Sequence, residues 1–211
     1  MKIFYRILML LFNYIPFFLL CSVLTAIWKF HDNFLLLFRV IIVIIYVIPP
    51  LITRIALLIH PLNKTEYELF SKEYYIWWLT FCTQIIYLRL PFLEEILRII
   101  PGLYSMWLRV FWGAKIGGFT YWAPGTRILD RSFLNIGNNV IFSADVRLNP
   151  HAQLNGKLIL APVTIEDNVL VGAYSLLISG TVLKANQTTK PFLKSAPFTI
   201  WDYGVKVKNA D

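Results

Sequence analysis

Cysteine, histidine and charge are all scarce in this chain. Its 211 residues hold two cysteines, three histidines and 12 acidic side chains. Cys21 and Cys82 lie in apolar stretches with no second sulfur or histidine at ligand spacing, which excludes a disulfide framework and a thiolate zinc site. Only 15% of the residues are charged, against about 25% in ordinary soluble domains, so a free-standing soluble globule is excluded. Lys and Arg number 20, for a formal net charge of +8, yet no basic run of five or more occurs. That argues against a nucleic-acid partner. The surplus instead suits juxtamembrane Lys and Arg facing anionic lipid.

What the chain has in plenty is apolar surface, at 57% of residues, and it is unevenly spread. Ile7 to Trp28 runs 22 residues without a charge, bracketed by Arg6 and Lys29. About 20 such residues cross a hydrocarbon core of ~30 Å. A signal peptide would show a shorter apolar core and a small-residue cleavage site, but Trp28-Lys29-Phe30-His31 follows here. Phe34 to Ile59 is a second expected span, with Arg39 and Arg54 near enough to its ends to snorkel. Five linking residues make the pair a tight hairpin. Lys2, Arg6 and Arg54 on one side, against Lys29 offset by Asp32 on the other, place both termini inside. Tyr74 to Leu88 is free of charge for 15 residues and rich in Tyr and Trp, which suits an interfacial helix or a third crossing. Phe92 to Trp112, broken at Pro101-Gly102, reads as two amphipathic helices on the bilayer surface.

Beyond Gly113 the pattern changes to a period of six. Apolar residues recur as Ile116, Trp122, Ile128 and Leu134; after a slip of two they resume as Ile136, Phe142, Leu148 and Leu154. A five-residue insertion follows, then Ile165, Val171, Leu177 and Leu183. Four places after nine of the twelve anchors stands a small or β-branched residue, such as Thr126, Val140, Val146, Ala152, Val169 or Thr181. Neither a helical period nor strand alternation generates two inward positions in six. A β-helix does, with three sixes to a coil, and the twelve sixes here predict about four coils. An antiparallel sheet would carry several Asn-Gly turns; Asn155-Gly156 is the one such pair, and it falls in the insertion.

Residues 113 to 207 resemble the hexapeptide-repeat, left-handed β-helix acyltransferases. The resemblance rests on Ile136-Gly137-Asn138-Asn139-Val140, on His151, on the stretch Pro162 to Gly172, and on the closing Trp201-Asp202-Tyr203-Gly204-Val205-Lys206-Val207. With helices ahead of it and Leu129-Asp130-Arg131-Ser132, the chain is also similar to the membrane β-helix modules of poly-amino-acid synthetases.

His31 and His60 fall at the ends of expected spans and read as bystanders. His151 sits at a turn of the repeat, where a solvated residue and a functional one are both open. The family's general base is a histidine at the end of a coil just before a loop, so the resemblance implies that role for His151. With 18 residues to a coil and the slip of two, position 131 lies beneath His151. Asp130 is therefore a candidate to orient the ring, with a solvated turn aspartate as the competing reading. With five inserted residues, position 174 lies above it. The resemblance implies an oxyanion-binding N–H at Ala173 after Gly172, and coenzyme A contacts at Gly172, Ser179, Gly180, Lys184, Lys190 and Lys206. At Lys190-Pro191 the family has Gly-Ala; proline offers no N–H, which admits a carrier-protein thioester as an alternative donor.

Together these readings predict an α + β membrane protein in three parts: a transmembrane hairpin over 1–60, interfacial helices over 61–112, and a left-handed β-helix over 113–211. The expected activity is transfer of an acyl group, acetyl in the simplest case, from acetyl-CoA or an acyl carrier protein to a hydroxyl or amine of a membrane-associated acceptor. No permanently bound cofactor and no metal is expected, since three converging histidines are lacking. The chain is expected in the membrane with its β-helix on the cytoplasmic side, as a homotrimer if it follows the family. The rival reading is a non-catalytic β-helix that scaffolds a membrane complex.

Overall fold

Pro16, Pro49 and Pro50 shape the helices at the start of the chain, because each lacks an N–H and crowds the preceding turn. The computed structural model describes residues 2–63 and 65–209, and the side chain of Lys2 lies outside the described residues. Two compact units are present: Met1–Leu62 with Phe70–Ile86, and Asn63–Leu69 with Tyr87–Asp211.

In the first unit, α1 (Lys2–Asn13) gives way to α2 (Ile15–Phe30) at Tyr14, just ahead of Pro16. Asn33 opens α3 (Phe34–Ile42), its side chain accepting from the Leu36 N–H at 3.0 Å. A π-helical turn, Val43–Val47, precedes α4 (Ile48–Ile59), whose first turn holds Pro49 and Pro50. Arg6–Phe30 and Phe34–Ile59 are each long and apolar enough to cross a membrane. At 1.5 Å per residue either could reach about 38 Å. Lys72–Arg89 and Phe92–Arg98 qualify as a third only if the two together make one span. Most side chains along the first two are exposed, Trp28 and Phe34 above all at 80% and 79%. Thr53 and Thr83 are buried and share a 2.7 Å hydrogen bond, which satisfies two hydroxyls away from water.

β1 (Glu66–Glu68) follows, then α5 (Lys72–Arg89), α6 (Phe92–Arg98) and α7 (Leu103–Trp107). Tyr74, Tyr75, Trp77 and Tyr87 of α5, aromatic side chains of the kind that collect at an interface, are buried in the protein.

The second unit is dominated by short parallel strands. β2 (Lys115–Ile116), β3 (Tyr121–Trp122) and β4 (Arg127–Ile128) start three different sheets. β5 (Leu134–Ile136), β6 (Ile141–Phe142) and β7 (Arg147–Asn149) stack on them in turn, all parallel. After a hairpin, β8 (His151–Leu154) and β9 (Lys157–Leu160), the rotation resumes with β10 (Val163–Ile165), β11 (Leu170–Val171) and β12 (Leu176–Ile178). β13 (Val182–Leu183) and β14 (Thr199–Asp202) extend the first sheet, and β15 (Val205–Asn209) closes it antiparallel. Visiting three sheets in rotation makes the winding of a parallel β-helix. The anchors of the six-residue period line its interior: Ile128, Phe142, Leu148, Val171, Leu177 and Leu183 are all fully buried.

Leu154 departs from that pattern. It is 51% exposed on β8, so it is no anchor, and the insertion is longer than five residues. Across it, Leu177 pairs with Leu148 and Ile165 with Ile136, an offset of 29 (177 − 148 and 165 − 136) in both sheets. Position 174 therefore does not stack on His151. The eleven extra residues leave the coil as a hairpin because Asn155 and Gly156 both adopt positive φ, 50° and 73°, as a tight two-residue turn needs.

Corners of the coil also use the left-handed region. Asn139, Asn168 and Asn186 adopt it one above another and link their amides at 3.0 and 2.9 Å, a conformation asparagine tolerates well. Gly137 is needed for space: a Cβ there would meet the Asp167 nitrogen and the Glu166 carbonyl carbon at 2.8 Å. Gly137→Ala is accordingly expected to destabilise the second unit by about 1–3 kcal/mol, an overpacking cost. Gly156→Ala, with open space around it, should cost about 1 kcal/mol from its positive φ alone. Denaturant titration of the two variants distinguishes them, and equal losses would contradict the close approach of the coils.

Candidate active site

His151 is the first residue of β8, where the chain leaves the third sheet for the hairpin. The side chain is 15% exposed, and its Nδ1 is hydrogen-bonded to Oδ2 of Asp130, which is 1% exposed. Asp130 occupies the same corner one coil earlier, at φ 50°. A carboxylate can only accept, so Nδ1 is assigned the proton and Nε2 is left with its lone pair. Burial works against the imidazolium, but the Asp130 charge and hydrogen bond outweigh it and hold the pKa above the ordinary 6.5.

Two buried polar atoms lie at the same corner. Asn149 pairs with Ile178 in the third sheet, so Ser179 stands one residue past that pair, as Pro150 does on the coil before. The Ser179 hydroxyl is fully buried, and among the described residues neither it nor the Asn149 Oδ1 has a hydrogen-bond partner. Unpaired groups of this kind are costly in a finished interior and are suited to receive a ligand's polar atoms. Gly180, with φ 71°, completes the corner.

The other expected site residues lie elsewhere. Gly172 and Ala173 are at the next corner, between β11 and β12, where a Cβ on Gly172 would come within 2.6 Å of the Pro191 nitrogen. Ala173 accepts at its carbonyl from the Phe192 N–H at 2.8 Å. Lys190 is exposed at that same corner, Lys206 is exposed on β15, and Lys184 is tied to Glu166 at 2.8 Å on the remaining corner. One copy of the chain thus brings together His151, Asp130, Ser179 and Gly180, and places Ala173, Lys184, Lys190 and Lys206 on other corners or strands. Among the described residues no three His, Cys, Asp or Glu side chains group closely enough to hold a metal ion.

One buried network near the start of the coil has no counterpart in the sequence patterns. Arg131, next to Asp130 and fully buried, donates from Nε to Glu94 at 2.9 Å, while the Tyr104 hydroxyl donates to the same oxygen at 2.7 Å. The guanidinium lies 4.8 Å from the Tyr87 ring centre and 5.5 Å from that of Trp112. Burial pushes the Tyr104 phenol up, and Glu94 adds to the rise. Glu94 and Arg131 are 37 residues apart, so no local spacing signals the pair, and Glu94 reads in the sequence as part of the polar face of its helix although it is buried.

No protein-family model and no curated protein matches the chain. Among solved structures it is similar to a maltose O-acetyltransferase from Clostridium difficile 630, at 16% identity and a TM-score of 0.30 over 57% of this chain and 84% of that one. It is also similar to a hexapeptide-repeat-containing acetyltransferase from Vibrio cholerae, at 16% identity and a TM-score of 0.29 over 53% and 84%. A hexapeptide-repeat-containing acetyltransferase from Vibrio cholerae O1 biovar eltor, solved with acetyl coenzyme A, gives 14% identity and 0.32 over 55% and 82%. Similarity at this level carries no argument about activity, which rests on the site itself.

Proposed function

We propose that the protein is a membrane-bound acyltransferase that moves an acyl group, acetyl in the simplest case, from a coenzyme A or carrier-protein thioester to a hydroxyl or amine of a membrane-associated acceptor. The observation that carries this reading is the His151–Asp130 pair at a β-helix corner, with a buried hydroxyl beside it. Neutral His151 takes the acceptor's proton at Nε2 as the acceptor oxygen or nitrogen attacks the thioester carbonyl. The C–S bond then breaks, and the imidazolium returns the proton to the departing thiolate, so the ring ends as it began. Asp130 holds the ring and stabilises its charged form, as a buried carboxylate does in other acid–base pairs.

The oxyanion needs a donor N–H. In this reading Ala173 fills that role from a neighbouring copy of a homotrimer. Lys184, Lys190 and Lys206 face the donor's phosphates, and Gly172, Ser179 and Gly180 line its path. The two apolar helices sit in the cytoplasmic membrane, with a left-handed β-helix of about four coils on the cytoplasmic side. The experiment is thioester turnover by the purified full chain in detergent, with acetyl-CoA or acyl carrier protein and a panel of sugar, amine and lipid-linked acceptors. Free thiol released above the no-enzyme rate supports the proposal. Silence with every donor, from protein whose β-helix is folded, would overturn it in favour of a scaffold.

A further inference from the structure

The hairpin that bears His151 is not held by the β-helix alone. β1 comes from the short link between α4 and α5, far away in sequence, and it pairs antiparallel with β9: Glu66 opposite Ile159, Tyr67 opposite Leu158, Glu68 opposite Lys157. The Leu160 N–H donates to the Thr65 carbonyl at 2.9 Å, and the Leu69 N–H to the Gly156 carbonyl at 3.3 Å, so the pairing runs from the base of the hairpin to its tip. Tyr67 is buried, as are Leu158 and Ile159, and Lys157 meets Glu66 at 2.9 Å. Leu160, bonded to Thr65, is also the residue paired with His151.

Energetics make this third strand more than decoration. Two antiparallel strands of four residues are at best marginally stable in water, and a third strand with a buried face is what confers independent stability. The exposed Lys157–Glu66 ion pair contributes little. The backbone ladder and the Tyr67 ring carry the attachment.

We infer that the segment Thr65–Leu69 is the positioning element for His151, keeping the imidazole on Asp130 by adding the third strand to its hairpin. His151's ring is thereby set by a segment that lies between α4 and α5 in the chain. The inference rests on the acyl-transfer reading only for what His151 is positioned to do. Its test therefore reads the ring itself.

The chain has three histidines, so the full-length protein in detergent, labelled at imidazole Cε1, gives three signals, with that of His151 assigned by its loss in His151→Asn. Leu69→Pro removes the N–H given to Gly156. It should speed amide exchange in β8 and β9 by on the order of tenfold or more, leave exchange in β6 and β11 unchanged, and move the His151 titration to lower pH as the ring leaves Asp130. Should that variant fail to fold, Glu66→Gly with Glu68→Gly loosens the strand through two exposed positions. A Glu68→Cys, Lys157→Cys crosslink, across directly facing residues, should restore the wild-type titration in the Leu69→Pro background when oxidised. A loosened hairpin with an unmoved His151 titration would overturn the inference, as would a hairpin that neither set of substitutions loosens. If His151 responds as expected while the wild type turns over no thioester, the positioning stands and the acyl-transfer reading falls.

Discussion

Replacing His151 with Asn is expected to lower acyl transfer by roughly 10²- to 10⁴-fold, the range for loss of a general base, with little change in thermal unfolding. Asn keeps a side-chain N–H for the Asp130 carboxylate but has no basic nitrogen. His151→Ala should lose as much rate and also about 1–3 kcal/mol of stability, because it takes a partner from a carboxylate that is only 1% exposed. The pH profile gives the sign. Catalysis needs the neutral ring, so the wild-type rate falls as pH drops through the imidazole pKa, and Asp130 holds that pKa above 6.5. Asp130→Asn removes the charge and leaves burial to favour the neutral ring, so the acidic limb should move to lower pH even as the rate drops. In His151→Asn the limb should be missing. Near-normal rates in His151→Asn, with the β-helix intact, would mean that another group takes the acceptor's proton.

The six-residue period located the interior because each coil must bury the same two phases, and a repeated steric demand leaves a repeated residue type. Asp130 came within reach of His151 by counting, since the slip of two is visible in the anchors and Ile128 pairs with Leu148 at the step of 20 (148 − 128) that it predicts. Counting failed across the hairpin. Leu154 and Ala152 have the polarity and size of inward positions while standing on β8, so composition alone reads them as another six. β1 was invisible for a different reason: Glu-Tyr-Glu is three residues, too short for any period, and its partner is 91 residues away in the Glu66–Lys157 pair. Long-range pairing of short strands is decided by tertiary packing, which local pattern does not record.

Arg131→Ala should be the most destabilising single change in the second unit, at about 3–5 kcal/mol, because it leaves one member of a buried ion pair without its partner. Glu94 is 4% exposed, and after the substitution its remaining neighbours are the Tyr104 hydroxyl and an Arg98 guanidinium 3.9 Å from its second oxygen. Those soften the loss without matching the 2.9 Å charge-assisted bond. The cavity left between the Tyr87 and Trp112 rings adds to it. Lost packing and stranded charge make different predictions for a second substitution. Glu94→Gln keeps the shape and removes the charge, so on the Arg131→Ala background it should recover part of the stability, whereas alone it should be destabilising. A double-mutant cycle in denaturant, following the β-sheet signal of the full chain, measures the coupling. Additive losses, or a cost below about 1 kcal/mol for Arg131→Ala, would show that the pair is not a principal clamp between α6 and the coil. Because Arg131 follows Asp130 directly, the same titration run alongside the His151 pH profile shows whether loosening the clamp also releases the ring.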